Sequence, residues 1–167
     1  MTKYEELCEA FRQSSVDGSA YHVRSIEIIA QILTGFVSYV GAPPDRARFL
    51  PPEPRDANAI YTPAGAASLQ DDGWWLAYIQ LTLTQGKNRY PEINALFQFR
   101  VQVAAEQYTV RIGDSNQSHI IRDGAEAAAL EPIFQEAFER AKKYFSFGLQ
   151  RFLDEGSKET APRKIGF

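Results

Sequence analysis

Cysteine, histidine and glycine-rich motifs are scarce in this chain, and their scarcity limits the kinds of site it can contain. Cys8 is the single cysteine, so no internal disulfide can form, and the only histidines are His22 and His119. A metal site needs several such side chains together, so the sequence indicates no metal and no other cofactor. No glycine-rich phosphate loop and no G-x-S-x-G elbow is present. The sequence therefore neither excludes an enzyme nor indicates one.

Long apolar runs and a strong charge imbalance are also lacking. The N-terminus, MTKYEELCEAF, has no apolar stretch typical of a secretory signal. No uninterrupted apolar run approaches the ~20 residues of a membrane helix. The net charge is −3 and no basic stripe is visible, which disfavours nucleic-acid binding. We therefore expect a cytoplasmic protein that neither crosses a membrane nor binds nucleic acid.

Three helices are predicted from apolar spacing and from end signals. A capping box at Thr2 and Glu5 begins a short helix, and residues 14–19, which contain Asp-Gly, are typical of a turn. A second, mostly apolar helix is predicted over 20–40, where a glycine and two prolines stop it. The last predicted helix, 131–153, carries a phenylalanine-rich seam along its length.

Between these helices the sequence predicts an irregular segment and then a sheet. Residues 41–72 contain six prolines and are expected to form either an extended cover over the core or a lid or binding loop. Four alternating strands are predicted as an antiparallel meander: 74–84, 94–104, 107–112 and 118–122. With the helices on one face, the sequence predicts that residues 1–155 form a single two-layer α+β domain. Residues 156–167 are predicted to be a mobile tail.

The alternation of two neighbouring strands sets their register. Folding them about Ala105 and Glu106 places three apolar pairs on one face and Arg100 opposite Arg111 on the other. Like charges directly across a ladder are unfavourable unless something offsets them. The face that does not meet the helices is therefore the first place to look for a partner.

Two further register choices extend this arginine pair into a row. The first long strand pairs so that every core-side pair is apolar, which sets Tyr78 opposite Arg100. A five-residue loop sets Arg111 opposite His119. Together with Trp74, these side chains offer stacking, cation–π contact and bidentate donors to an anionic group. The predicted binding site is this row.

The sequence leaves four interpretations of that face open. The leading one is a non-catalytic interaction protein that binds a protein partner, or a second copy as a homodimer, through the row. The alternative is a binding protein for an anionic small molecule, or a small enzyme, with its site on the same face beneath residues 41–72. A third is a structural subunit that uses the phenylalanine-rich last helix. The fourth is a solvated sheet face with no partner.

Overall fold

The structure, a computed structural model, describes residues 2–56, 58–86, 92–147 and 165–166. Two α-helices and seven strands, with three short 3-10 helices between them, are present in the described residues: α1 (Lys3–Val40), β1 (Ala47–Leu50), β2 (Ser68–Leu69), β3 (Trp75–Thr84), β4 (Glu92–Val103), β5 (Gln107–Ile112), β6 (His119–Arg122), α2 (Glu131–Ser146) and β7 (Ile165–Gly166). The helices and the sheet form a two-layer α+β arrangement, which confirms the predicted fold class.

Helix α1 is continuous, so the prediction of two helices separated by a turn is wrong. The predicted capping box is confirmed: Thr2 accepts from the Glu5 N–H, and the Glu5 carboxylate accepts from the Thr2 N–H. In the predicted turn, the hydroxyls of Ser15 and Ser19 donate to the carbonyls four residues earlier, which satisfies them within a helix. Gly41 ends α1 in the left-handed conformation, at a φ of 63°.

The strands form one sheet with the order β1-β3-β4-β5-β6, in which all neighbours are antiparallel. The predicted four-stranded meander is its centre. The proline-rich segment 41–72 is less irregular than predicted, because β1 and β2 both pair with β3 and Phe49 forms a bridge with Tyr61. Pro51 directly follows β1, which suits an edge strand because proline cannot donate to a ladder.

The C-terminal predictions fall partly outside the described residues. Of the predicted helix 131–153, α2 is described to Ser146. Of the predicted mobile tail, 156–167, only β7 is described, and it pairs in parallel with Ala95 and Leu96 of β4. The rest of the tail lies outside the described residues, so its mobility stays a prediction.

The core lies between the sheet and the helices, and aromatic rings fill its centre. Phe36 of α1 contacts Phe97, Phe99 and Phe134 at ring-centroid distances of 4.9, 5.3 and 5.9 Å. Full burial of each such side chain contributes about 2 kcal/mol. Gly35 permits the close approach of α2, since a Cβ there would lie 2.9 Å from the Phe134 ring. Both helices therefore pack on the same face of the sheet.

The register of β4 on β5 is confirmed, and the register of β3 on β4 is wrong by two residues. Arg100 does lie opposite Arg111. Leu76, rather than Tyr78, lies opposite Arg100, and Tyr78 lies opposite Gln98. Because side chains alternate with a period of two, this shift leaves every β3 side chain on its predicted face.

The register of β5 on β6 is wrong by one residue, and this shift has a larger consequence. His119 lies opposite Val110 rather than Arg111. A slip of one residue moves every side chain of a strand to the other face. Ile121 is therefore buried, at 8% exposed, whereas Ile120 points outward at 63%. His119 lies on the helix-covered face.

Candidate functional site: the open face and the arm

The sheet face that does not meet the helices is called the open face here. Its outward side chains are half-buried or exposed, in alternation with the buried core positions of β3, β4 and β5. The main side chains of the open face are Trp74, directly before β3, and Leu76, Tyr78, Arg100, Arg111 and Ile120. Four of the five residues of the predicted row lie on this face, and His119 does not.

Trp74 lies against both guanidinium groups of the arginine pair. The Cζ atoms of Arg100 and Arg111 are 5.4 and 4.8 Å from the Trp74 ring centroid. Arg100 Nη2 also donates to Asp72 Oδ2 at 2.7 Å, and Arg111 Nε donates to Ser118 Oγ at 2.7 Å. The ring quadrupole and the carboxylate attract the cations. The repulsion within the arginine pair is therefore offset inside the chain, and the pair is fixed without a partner.

Asp72 is a site residue that the predicted row did not include. Its Oδ1 atom accepts from the Trp74 N–H at 3.1 Å while its Oδ2 atom binds Arg100. Gly73, at a φ of 79°, provides the left-handed residue between them. The signal in the sequence is an aspartate two residues before an aromatic strand start, a spacing at which its carboxylate can accept from the backbone.

Tyr78 extends the open face beyond the arginine pair. Burial raises the pKa of its phenol above the ordinary value, Arg100 lowers it, and Asp114 raises it further. Burial is the largest of these effects, so the phenol is uncharged near neutral pH. Tyr78 therefore presents an aromatic ring and a neutral hydroxyl to a partner.

His119 belongs to a polar cluster that joins β6 to α2. Its Nε2 atom lies 2.5 Å from Glu136 Oε2, and Ser115 Oγ donates to Glu136 Oε1 at 3.1 Å. Arg140 Nη1 is 3.7 Å from the same carboxylate. Because the carboxylate lies between the serine and the imidazole, these groups do not form a nucleophile–base pair. The cluster explains why His119 faces inward.

The open face is basic. The charged side chains at outward positions of its strands are four arginines and one glutamate: Arg48, Arg100, Arg111, Arg122 and Glu92. Glu92 pairs with Arg46, at 2.7 Å. Within the described ranges, no carboxylate lies within ion-pairing distance of Arg111 or Arg122. The face therefore favours an acidic partner.

The first part of α1, residues 3–21, projects from the domain and is called the arm here. Every residue of the arm is exposed, and Tyr4, Leu7 and Phe11 are 75%, 70% and 76% exposed. His22 and Arg24 mark the point where α1 joins the domain. The His22 ring centroid lies 5.1 Å from the Trp75 ring centroid, and Arg24 forms an ion pair with Asp123 and donates to the Ala104 carbonyl at 2.6 Å. The arm therefore presents an apolar stripe that no described part of the chain covers.

Helix α1 is the one described element whose composition bears on membrane insertion. By length and composition alone, α1 is long and apolar enough to cross a membrane, a property that buried helices of soluble proteins share. Six residues of its second half are buried in this domain. The predicted cytoplasmic location stays a prediction.

An apolar cavity of about 1030 Å³ lies on the covered side of the sheet, between the end of α1, β3 and α2. Phe138 and Phe145 of the predicted phenylalanine seam line it, and Lys142 Nζ lies 6.0 Å from the Phe138 ring centroid. Phe138 and Phe145 remain 40% and 36% exposed, so the seam is only partly buried in the described residues. The cavity includes neither Arg100 nor Arg111.

The chain matches no protein-family model, no curated protein and no solved structure. In the part of the chain that the structure describes, no three histidine, cysteine, aspartate or glutamate side chains are grouped so as to hold a metal ion. The open face and the arm are therefore the surfaces from which a function can be inferred.

Proposed function

We propose that this is a non-catalytic interaction protein that binds a protein partner through the open face. The observation that supports the proposal is the cluster of Trp74 with the guanidinium groups of Arg100 and Arg111. Tryptophan, tyrosine and arginine are the side chains that most often dominate the binding energy of protein interfaces. Here all three types lie together on a face that neither α1 nor α2 covers.

The cluster is ordered before a partner arrives. Asp72 and Ser118 hold the two guanidinium groups at 2.7 Å, and Asp72 also fixes the start of β3. Ordering long side chains costs free energy on association, so a face that is already ordered binds more tightly for the same contacts. Arg111, which has no carboxylate partner in the described residues, remains able to pair with an acidic group of the partner.

An anionic small molecule is less well supported than a protein as the ligand of this face. Small-molecule sites are concave and bury most of their ligand. The apolar cavity described above is on the other side of the sheet and contains neither arginine. Binding of a partner surface needs no such concavity, because interfaces are rimmed patches rather than pockets.

The test is charge reversal at both arginines. Wild type and R100E/R111E would be used to capture partners from a lysate of the source organism, and the captured protein would be purified for affinity measurements. We expect R100E/R111E to bind at least tenfold more weakly, since each arginine is a hot-spot type. The second variant, R100Q/R111Q, removes the charges without placing a carboxylate beside Asp72.

The matched control is R55E/K143E, which makes the same change in net charge at exposed positions away from the arginine pair. Thermal melts would establish that all variants are folded. We expect R55E/K143E to bind as the wild type does. Equal binding by R100E/R111E and wild type would contradict the proposal.

A further inference from the structure

The arm and the open face are two surfaces that no described part of the chain covers, and they complement each other. The arm exposes an apolar stripe formed by Tyr4, Leu7 and Phe11. The open face presents half-buried aromatic and aliphatic side chains at the start of β3, from Trp74 to Tyr78. We infer that the arm of one copy packs across the open face of a second copy, so that the chain associates with itself. This inference depends on the proposed function, because it names the occupant of the proposed binding face.

The apolar parts of the two surfaces have similar lengths. At about 1.5 Å per residue, the stripe from Tyr4 to Phe11 extends roughly 10 Å along the helix. At about 3.3 Å per residue, the row from Trp74 to Tyr78 extends roughly 13 Å along the strand. One amphipathic helix can therefore cover the row, in the same way that the second half of α1 covers the other face.

The charges of the two surfaces are opposite in sign. The arm contains four acidic residues, Glu5, Glu6, Glu9 and Asp17, against Lys3 and Arg12. The open face carries four arginines against Glu92 and Asp72, the latter paired with Arg100. Glu5, Glu6 and Glu9 lie on the side of the helix away from the stripe, and Glu6 and Glu9 pair with Lys3 and Arg12. The net charge of the arm therefore favours its approach to the basic face rather than direct ion pairs across the contact.

The occupant has to be a second copy rather than the same chain. Helix α1 is continuous from Lys3 to Val40, and its second half packs on the covered face. The arm extends roughly 20 residues beyond Arg24, which is about 30 Å at the helical rise. A continuous helix that is anchored on one face of a sheet cannot also lie on the other face. The arm therefore reaches only the open face of a neighbouring molecule, and a reciprocal exchange gives a closed dimer.

The experiment measures the mass of the full chain in solution as a function of concentration, by light scattering and sedimentation. The arm variant is L7S/F11S and the face variant is R100Q/R111Q. The matched control is V16S/V23S, which makes two similar changes on a different side of the same helix, because the helical period moves Val16 and Val23 away from the stripe. We expect a wild-type dimer, an unchanged control, and at least tenfold weaker association for each of the first two variants.

A mixture of the two defective variants distinguishes arm-on-face contact from other dimers. In an equimolar mixture, the intact arm of R100Q/R111Q meets the intact face of L7S/F11S, so one of the two contacts returns and a dimer reappears. Arm-on-arm or face-on-face pairing gives no such recovery. Absence of recovery, or a wild type that is monomeric at all concentrations, overturns the inference.

A different result would contradict the proposed function. If the wild type is monomeric but captures another protein, and R100E/R111E loses that capture, the inference is wrong and the proposed function stands. If R100E/R111E retains both dimerisation and capture, the open face is not the binding face, and both are wrong.

Discussion

The two halves of α1 have similar apolar spacing and opposite environments. In the second half, Leu33 and Phe36 are fully buried against the sheet and α2. In the first half, Leu7 and Phe11 are 70% and 76% exposed. The period of the apolar residues predicts that both halves are helical and which side of each is apolar. It does not predict whether the surface that covers that side belongs to the same chain.

The two faces of the sheet show the same contrast. The covered face is apolar and meets both helices, whereas the open face carries a tryptophan and a charged arginine pair that are satisfied locally by Asp72 and Ser118. Local satisfaction keeps an uncovered surface stable as a monomer. It also leaves that surface ordered for a partner. The following predictions test the contrast between covered and uncovered surfaces.

The largest difference in the free energy of unfolding is expected between the variants F36A and F11A. Truncation of Phe36 removes the contacts with three core rings and leaves a cavity, so the free energy of unfolding should fall by about 3–5 kcal/mol. Truncation of the exposed Phe11 should change it by less than about 0.5 kcal/mol. Urea denaturation, at a protein concentration at which the chain is monomeric, measures both. A similar loss for the two variants would show that the arm is packed within its own chain.

G35A and G18A should change the free energy of unfolding by smaller amounts and in opposite directions. An alanine Cβ at Gly35 would lie 2.9 Å from the Phe134 ring, so overpacking should outweigh the gain in helix propensity and lower the stability by about 1 kcal/mol. An alanine Cβ at Gly18 would have no neighbouring atom within 4 Å, so the gain in helix propensity alone should raise the stability by about 1 kcal/mol.

Hydrogen exchange separates these two effects. G18A should slow exchange of the arm amides about fivefold, because each 1.4 kcal/mol corresponds to about a factor of ten. It should leave the exchange of core amides unchanged. G35A should speed exchange in the core. Faster exchange of the arm in G18A would mean that the arm is not helical at Gly18.

The sequence predicts most of the fold, and its errors have particular causes. The register of β4 on β5 was predictable because only Ala105 and Glu106 lie between the two alternating runs. The register of β3 was wrong by two residues, since several even shifts also pair apolar residues across the core side. In β6, Ile120 and Ile121 are adjacent and equally apolar, so alternation cannot choose between them. The carboxylate of Glu136, which binds His119, favours the observed face.

The candidate site was predicted in part for the same reason. Arg100 and Arg111 follow from a register that the sequence determines, and Trp74 and Tyr78 follow from strand alternation. Asp72 was missed as a partner because its contact with Arg100 spans 28 positions in the sequence. The exposure of the arm was missed because an apolar stripe in a sequence does not show which surface covers it. Both depend on tertiary structure.

The smallest expected effect concerns two tyrosines on opposite faces of the sheet. Burial raises the pKa of both Tyr78, on the open face, and Tyr108, on the covered face. The unfolded chain therefore loses its phenolic protons at a lower pH than the folded chain does. Below about pH 10 the two tyrosines should not change the free energy of unfolding, and above it they should lower that free energy as the pH rises. Titration of phenolate absorbance, with Y78F and Y108F to assign the signals, measures each pKa.

Two changes should separate the faces in that titration. R100Q should raise the pKa of Tyr78 further, because Arg100 lowers it, and should leave Tyr108 unchanged. Dimerisation through the arm should also raise the pKa of Tyr78, because it buries the open face, and again leave Tyr108 unchanged. An equal response of the two tyrosines to protein concentration would argue against the open face as the contact surface. A response of Tyr78 alone would connect the uncovered half of α1 with the uncovered face of the sheet.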